Sequence, residues 1–393
     1  MLLGLYSIYN FKKGFLIASF FALTLPLSGY YTSLHYLNGV MAFDGYIIGI
    51  FFYFLKDGTI RIYNSEVFLI VFFISYVIWS YLFSSSNVIW VLKDIRPLFY
   101  ILSILVIENV VLSNNFYICL SEINFLAISS ALSNIVWLLL GIFGLMPMDS
   151  SDLFIENNIY RYFDLSTYFS IYNIFFIYYL LINNEIKFKE IQFSFFMSFV
   201  SIFISNSRIL LFAVIICLGI ISIKNFYQFK KYIVISIFLV LFFLLGSGLI
   251  NQQRVLQSLS FEGLAIQLLN RFSPAVTALK EMNAFNFIFG MGLGYFFEIP
   301  WFGYRNMDSF NASLDSAYLT HFIKQGFFGI YVVIIFINRL SSTVNNSTMF
   351  FALCVFWFLI CFTVAPLYQN IIYGGIIYQV LIFRIKLTDR SFT

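Results

Sequence analysis

The sequence predicts an all-α, polytopic membrane protein of about twelve transmembrane helices. Of its 393 residues, 61% are hydrophobic and only 10% charged, with a mean hydropathy of +0.90. An ordinary soluble domain is about one quarter charged, and a water-soluble fold could not hide this much apolar side chain. Apolar runs of roughly 20 residues, long enough to cross hydrocarbon as a helix, recur along the whole chain. The basic residues also divide by type between alternate connections, which assigns the two faces of the membrane.

In order, the spans fall near 14–33, 36–55, 66–84, 96–113, 122–146, 165–182, 191–206, 209–223, 232–250, 314–337, 348–366 and 368–385. Lys12 and Lys13 precede the first in the manner of a signal sequence. No small-x-small cleavage site follows, so it is read as an uncleaved first helix. The stretch 191–223 is too long for one crossing and breaks at the polar turn Ser205-Asn206-Ser207-Arg208. Twelve spans place both termini on one side. Connections on that side carry 13 basic residues, nine of them lysine, so the positive-inside rule makes the termini cytoplasmic. The chain is then a single integral-membrane domain, 1–393, with two long outer segments at 147–164 and 251–313.

The outer connections hold Arg96, Arg161, Arg208, Arg254, Arg271 and Arg305, with Lys93, Lys280 and Lys324. Topology explains lysines inside but opposes arginines outside. A guanidinium offers a planar fork of donors that matches phosphate oxygens in pairs. Six on one face suggest an anionic ligand, and pyrophosphate is a good candidate. The alternative is that they pair with outer acids such as Asp94, Asp164, Glu262 or Glu298, or with lipid phosphates.

The 251–313 segment is too long to be a plain connection. "RVLQSLSFEGLAIQLLNRF" (254–272) has the spacing of an amphipathic helix lying along the membrane surface. Ser273-Pro274 suits an N-cap and first turn, so a second short helix is expected from there, its positive end beside Arg271. "GMGLG" (290–294) lacks the GK[ST] of a phosphate loop and is read as a flexible turn. Tyr295, Trp301 and Tyr304 offer faces for sugar rings or form an interfacial aromatic belt. Asp315 stands just before the helix of the span 314–337, either as its N-cap or as a carboxylate able to take a proton from a hydroxyl. His321 has the ordinary range for acid–base work but sits where a packing histidine is common. Tyr318 lies three residues from each. Asp44 is an intramembrane carboxylate with no evident partner. Asp149, Asp152 and Glu156 lack the second cluster a divalent ion would need. The four cysteines form no CxxC, and two histidines exclude a multi-histidine metal site.

Four elements in order resemble a known family: the hairpin "SNSRILLFAVI", then "RFSPAVTALKEMNAFNFIFGMGLGYF", then "DSAYLTHFIKQGFFGI", then a final pair of spans. This is similar to the O-antigen polymerase (Wzy-type) and O-antigen ligase superfamily, integral-membrane glycosyltransferases of the GT-C class. Arg208 and Arg271 match the two family arginines, Gly290, Gly292 and Gly294 the glycine stretch, and Gly326 and Gly329 the glycines of the last helix. Asp315-Ser316 stands where the ligase pattern has His-Asn, which favours the polymerase branch. The resemblance implies a multi-pass protein of the bacterial inner membrane with a periplasmic active site. Its substrate would be an oligosaccharide repeat unit on undecaprenyl pyrophosphate, needing neither cofactor nor metal. Arg208 and Arg271 would hold the pyrophosphate, supported by Arg161, Arg254 and Arg305, with Tyr318, Trp301 and Tyr304 near the sugars. Asp315, or else His321, would take the acceptor's proton. Membrane lipids and a chain-length regulator of the polysaccharide co-polymerase type are the expected partners, and nucleic acid is not. The alternatives are an O-antigen ligase and a flippase or transporter for the same lipid-linked sugar.

Overall fold

The computed structural model describes residues 1–26, 36–37, 40–53, 64–83, 88–113, 116–145, 153–156, 159–183, 185–205, 207–223, 261–299, 310–341 and 347–383. Among them lie fifteen α-helices and three two-stranded hairpins. The chain opens with α1 (Leu2–Ser7) and α2 (Phe11–Thr24), whose start is set by the Asn10 side chain accepting the Lys13 N–H. The expected span 36–55 begins instead as a hairpin, β1–β2 (Tyr36–Leu37 with Val40–Met41), and is helical only over α3 (Ala42–Phe51). Next come α4 (Asn64–Phe83), α5 (Val88–Ser113) and α6 (Leu120–Ile142). The expected fourth span starts at 96, after a cluster of charges; α5 starts eight residues earlier, because two of those charges find carboxylate or ammonium partners inside the bundle.

The segment 147–164 contributes the hairpin β3–β4 (Leu153–Glu156 with Ile159–Tyr162). Asp164 then caps α7 (Leu165–Ile182), its carboxylate accepting the Leu165 N–H at 2.5 Å while its own N–H donates to the Thr167 hydroxyl at 3.4 Å. Helices α8 (Phe188–Ser205) and α9 (Arg208–Ile223) follow, parted at the expected polar break. The expected span at 232–250 lies outside the described residues.

Helix α7 is the axis of the bundle. It is apolar on every side and almost wholly buried, as such a helix must be. Its few polar groups join it to its neighbours. Asn173 bonds Ser194 and Ser198 of α8, and Tyr178 bonds Ser222 of α9 at 2.6 Å. With lipid rather than water around a bundle, such bonds and close packing hold helices together.

The chain continues through α10 (Phe261–Glu281), α11 (Ala284–Phe289), the hairpin β5–β6 (Phe297–Glu298 with Phe310–Asn311) and α12 (Ala317–Gln325). Helices α13 (Phe327–Ser341) and α14 (Ser347–Thr363), two 3-10 turns (Pro366–Tyr368 and Asn370–Ile372) and α15 (Tyr373–Phe383) complete it. Two expectations need correction. No helix starts at Ser273: α10 runs unbroken through Pro274, so no helix end lies beside Arg271. The span expected at 314–337 is two helices, divided at Gly326, whose φ of +62° an L side chain rarely adopts.

Helices α6, α7 and α8 are each long and apolar enough to cross a membrane, and six shorter apolar helical stretches accompany them. Large apolar side chains, among them Phe21, Phe125, Phe196 and Phe212, are exposed around the bundle. A soluble monomer rarely shows so much contiguous apolar surface, whereas a helical membrane protein turns it to lipid.

Candidate functional site

Chemistry-bearing residues gather where α5, α10, α12 and the turn between α14 and α15 meet. Helix α12 is held at both ends. At its start, Ser316 caps the Leu319 N–H and donates its hydroxyl hydrogen to the Cys361 carbonyl of α14 at 3.3 Å. At its end, the backbone N–H groups of Met291 and Gly292 donate to the carbonyls of Ile323 and Lys324, at 2.8 and 3.0 Å. Leu293 N–H donates to Ser80 of α4 and Gly294 N–H to Asp94 of α5. Tyr76 donates to the carbonyls of both Phe289 and Gln325.

The glycine loop is therefore a buried joint and not the flexible turn expected. Its glycines permit the approach. A Cβ on Gly290 would lie 2.2 Å from the Lys324 carbonyl oxygen, and one on Gly326 would lie 2.1 Å from that of Ile288.

Asp94 and Lys324 complete the joint. Lys324 Nζ meets Asp94 Oδ1 at 2.5 Å, and both side chains are wholly buried. The Tyr368 ring lies 5.5 Å from the ammonium. A charge so placed persists only when paired and hydrogen-bonded. Asp94 has both: its second oxygen accepts from Gly294. Asp94, one of the acids expected as an arginine partner, and Lys324, expected on an outer connection, thus neutralise each other.

Two residues along α5, Arg96 turns to another carboxylate. Its Nη2 lies 2.8 Å from Asp44 of α3 and also donates to Asn370, while Tyr373 donates to Asp44. Tyr100 accepts from Arg96 and donates to Asn370. Asp44 thus gains the partner its local sequence conceals.

The third charged pair differs from these two. Arg271 Nε of α10 lies 3.6 Å from Asp315 Oδ2, with 48% and 41% of the side chains exposed. Asp315 does not cap α12, since Ser316 does. A small second core, with Ala275 and Ala278 from α10, Met282 just after it and Ile323 from α12, fixes the two helices against each other. The pair is accessible, fixed from behind and loosely closed in front.

Arg208 begins α9, and its side chain lies outside the described residues. The short connections 183–187 and 206–207 reverse the chain twice, so α7 and α9 run the same way. Equal steps back from the Tyr178–Ser222 bond reach Asp164 and Arg208, since both helices rise 1.5 Å per residue. Helix α14 runs the opposite way beside α9, where Cys217 donates to the Ala352 carbonyl. Equal steps from that bond reach Arg208 and Cys361, the residue that holds Ser316. The second route places the Arg208 backbone at the level where α12 begins.

Of the other expected site residues, His321 is fully buried. Its Nδ1 is 2.9 Å from Gln325 Oε1 and its ring lies against Tyr368. Its burial sets it apart from the exposed Arg271–Asp315 pair. Tyr318 packs on Phe358 and Phe362 of α14. Tyr295 donates to Glu281 at 3.0 Å, and burial, reinforced by that carboxylate, pushes its hydroxyl up to about 12. Arg161 stands in β4 with its side chain outside the described residues, which also exclude Arg254, Trp301, Tyr304 and Arg305. Among the described residues no group of three or more metal-ligating side chains occurs.

A family model, DUF6369, described as a family of unknown function, matches residues 13–391. The chain belongs to DUF6369. The match covers the α4–α5–α12 joint and the Arg271–Asp315 pair alike, so both are features of a DUF6369 protein and not of an appended segment. No curated protein and no solved structure matches this DUF6369 chain.

Proposed function

We propose that this DUF6369 protein is an O-antigen polymerase. It would transfer a growing glycan from undecaprenyl pyrophosphate to the terminal sugar of a new lipid-linked repeat unit. On this reading the chain crosses the membrane twelve times, with both termini in the cytoplasm and the Arg271–Asp315 end at the periplasmic face. The observation that carries this reading is the accessible Arg271–Asp315 pair, at the level of the Arg208 backbone. The ordered motif resemblance lends it support.

Two cations of the expected outer set are withdrawn by the buried pairs: Arg96 and Lys324 each have a carboxylate of their own. The ligand-holding role therefore narrows to Arg271 and Arg208, with Arg161, Arg254 and Arg305 as further donors. In the transfer, the acceptor hydroxyl oxygen attacks the anomeric carbon and the bond from that carbon to the pyrophosphate oxygen breaks. The bonding pair leaves with the pyrophosphate, whose growing negative charge the guanidinium groups stabilise. Asp315 takes the hydroxyl proton. Arg271 pairs with Asp315 in the resting state and turns to the phosphate when the donor arrives. Trp301, Tyr304 and Tyr318 would line the sugar path, and a chain-length regulator would bind alongside.

The test is to incubate purified protein in lipid with undecaprenyl-pyrophosphate-linked repeat units. A ladder of lengthened products is expected, and unchanged single units would refute the reading. A second reading, a flippase for the same lipid, is favoured by the two buried ion pairs, because ionisable groups inside a bundle recur in transporters. Transbilayer movement of the lipid-linked unit without chain growth would establish that one instead.

A further inference from the structure

Helices α2 and α6 run side by side and are tied at both ends. At one end Lys12 Nζ lies 2.9 Å from Glu122 Oε1. At the other, Trp137 donates to the Thr24 carbonyl at 2.8 Å and Ser133 to that of Leu23. Between the ties Phe20 stacks on Phe125 at 5.9 Å, and beside that stack lies a groove of about 520 Å³. Leu16, Ile17 and Phe21 form one wall, and Phe125 and Leu126 the other. Ile17, Phe21 and Phe125 are exposed, so the groove opens sideways onto the apolar surface that faces lipid.

Among the described residues that line the groove the one charged residue is Glu122, at one end. Its two carboxylate oxygens are fixed, one by Lys12 and one by the Cys119 N–H at 2.8 Å. Lys13 is exposed beside Lys12. A carboxylate and two ammonium groups thus stand at the mouth of an apolar channel.

We propose that this groove binds one phospholipid with an amine-bearing headgroup. An acyl chain fills the channel, the headgroup ammonium meets Glu122, and the phosphate meets Lys12 and Lys13. Burial from water supplies no preference, because the chain is already in hydrocarbon. What the groove adds is contact where the helices would otherwise leave a void, and the headgroup sets the choice. An anionic headgroup without an amine meets the lysines but is opposed by Glu122. Continuity with the lipid-facing surface and charge matching at one end alone favour a lipid over a second copy of the chain.

Native mass spectrometry of the purified protein tests this, with phosphatidylethanolamine or phosphatidylglycerol of identical acyl chains added back. One tightly retained phosphatidylethanolamine is expected, favoured by up to about fivefold, the ratio a partly exposed ion pair supports. Glu122→Gln should abolish the preference but not retention. Ile17→Trp should fill the channel and abolish retention, with an unchanged melting temperature showing that the fold survives. Equal retention of the two lipids by the wild-type protein overturns the proposal. So does retention by Ile17→Trp, or a melting temperature lowered by Ile17→Trp, which would mean that protein occupies the groove.

Discussion

Lys324 of α12 and Asp94 of α5, 230 residues apart, form an ion pair with no exposure on either side. Because Asp94 also accepts the Gly294 N–H, one carboxylate binds α5, α12 and the glycine loop together. Removing one partner leaves the other charged and unmatched in a dry site. Lys324→Met or Asp94→Asn alone should each lower stability by about 3–5 kcal/mol. The double variant Asp94→Asn/Lys324→Met should recover most of that loss. Thermal unfolding in detergent, read for all three, checks it.

The glycine joint should be equally intolerant. Gly290→Ala or Gly326→Ala puts a Cβ against backbone atoms at a positive φ, with no flexible neighbour to yield. Each should cost more than about 2 kcal/mol and sharply reduce folded protein in the membrane. Gly219→Ala, where nothing lies within 4 Å, should change little. Comparing yields of the three by fluorescence-detected size exclusion reads the contrast.

At the start of α12, Ser316→Ala loses both the cap and the bond to Cys361. A loss of about 1 kcal/mol is expected, with Ser316→Asp keeping most of the capping term. The melting temperatures of both variants decide it.

Around Asp44, Tyr373→Phe removes one donor and leaves Arg96 in place. Its cost should be about 1 kcal/mol. Arg96→Met should cost several times more, since it strands a buried carboxylate. Chemical unfolding of the two variants gives the ratio.

Much of the fold is legible in the sequence because lipid leaves few alternatives. A polar tetrad such as Ser205-Asn206-Ser207-Arg208 must end a helix in hydrocarbon, and α8 and α9 part there. The charge pairs are not legible. The sequence around Asp44 carries no sign of Arg96, and Lys324 reads as a boundary lysine because its partner lies on α5. Pro274 misleads for a related reason. Proline after serine reads as a first turn, yet packing of Ala275 and Ala278 against α12 carries α10 through it. Arg271 and Asp315 are each visible as single residues; that they meet follows only from the second core behind them.

The most direct measurement compares wild-type, Arg271→Ala and Asp315→Asn proteins, equally folded in lipid, on undecaprenyl-pyrophosphate-linked repeat units. A product ladder from the wild type, cut on the order of a hundredfold or more in each variant, is the result expected of a guanidinium and a carboxylate that serve the transfer itself. Ladders of undiminished length and rate from both variants would contradict it.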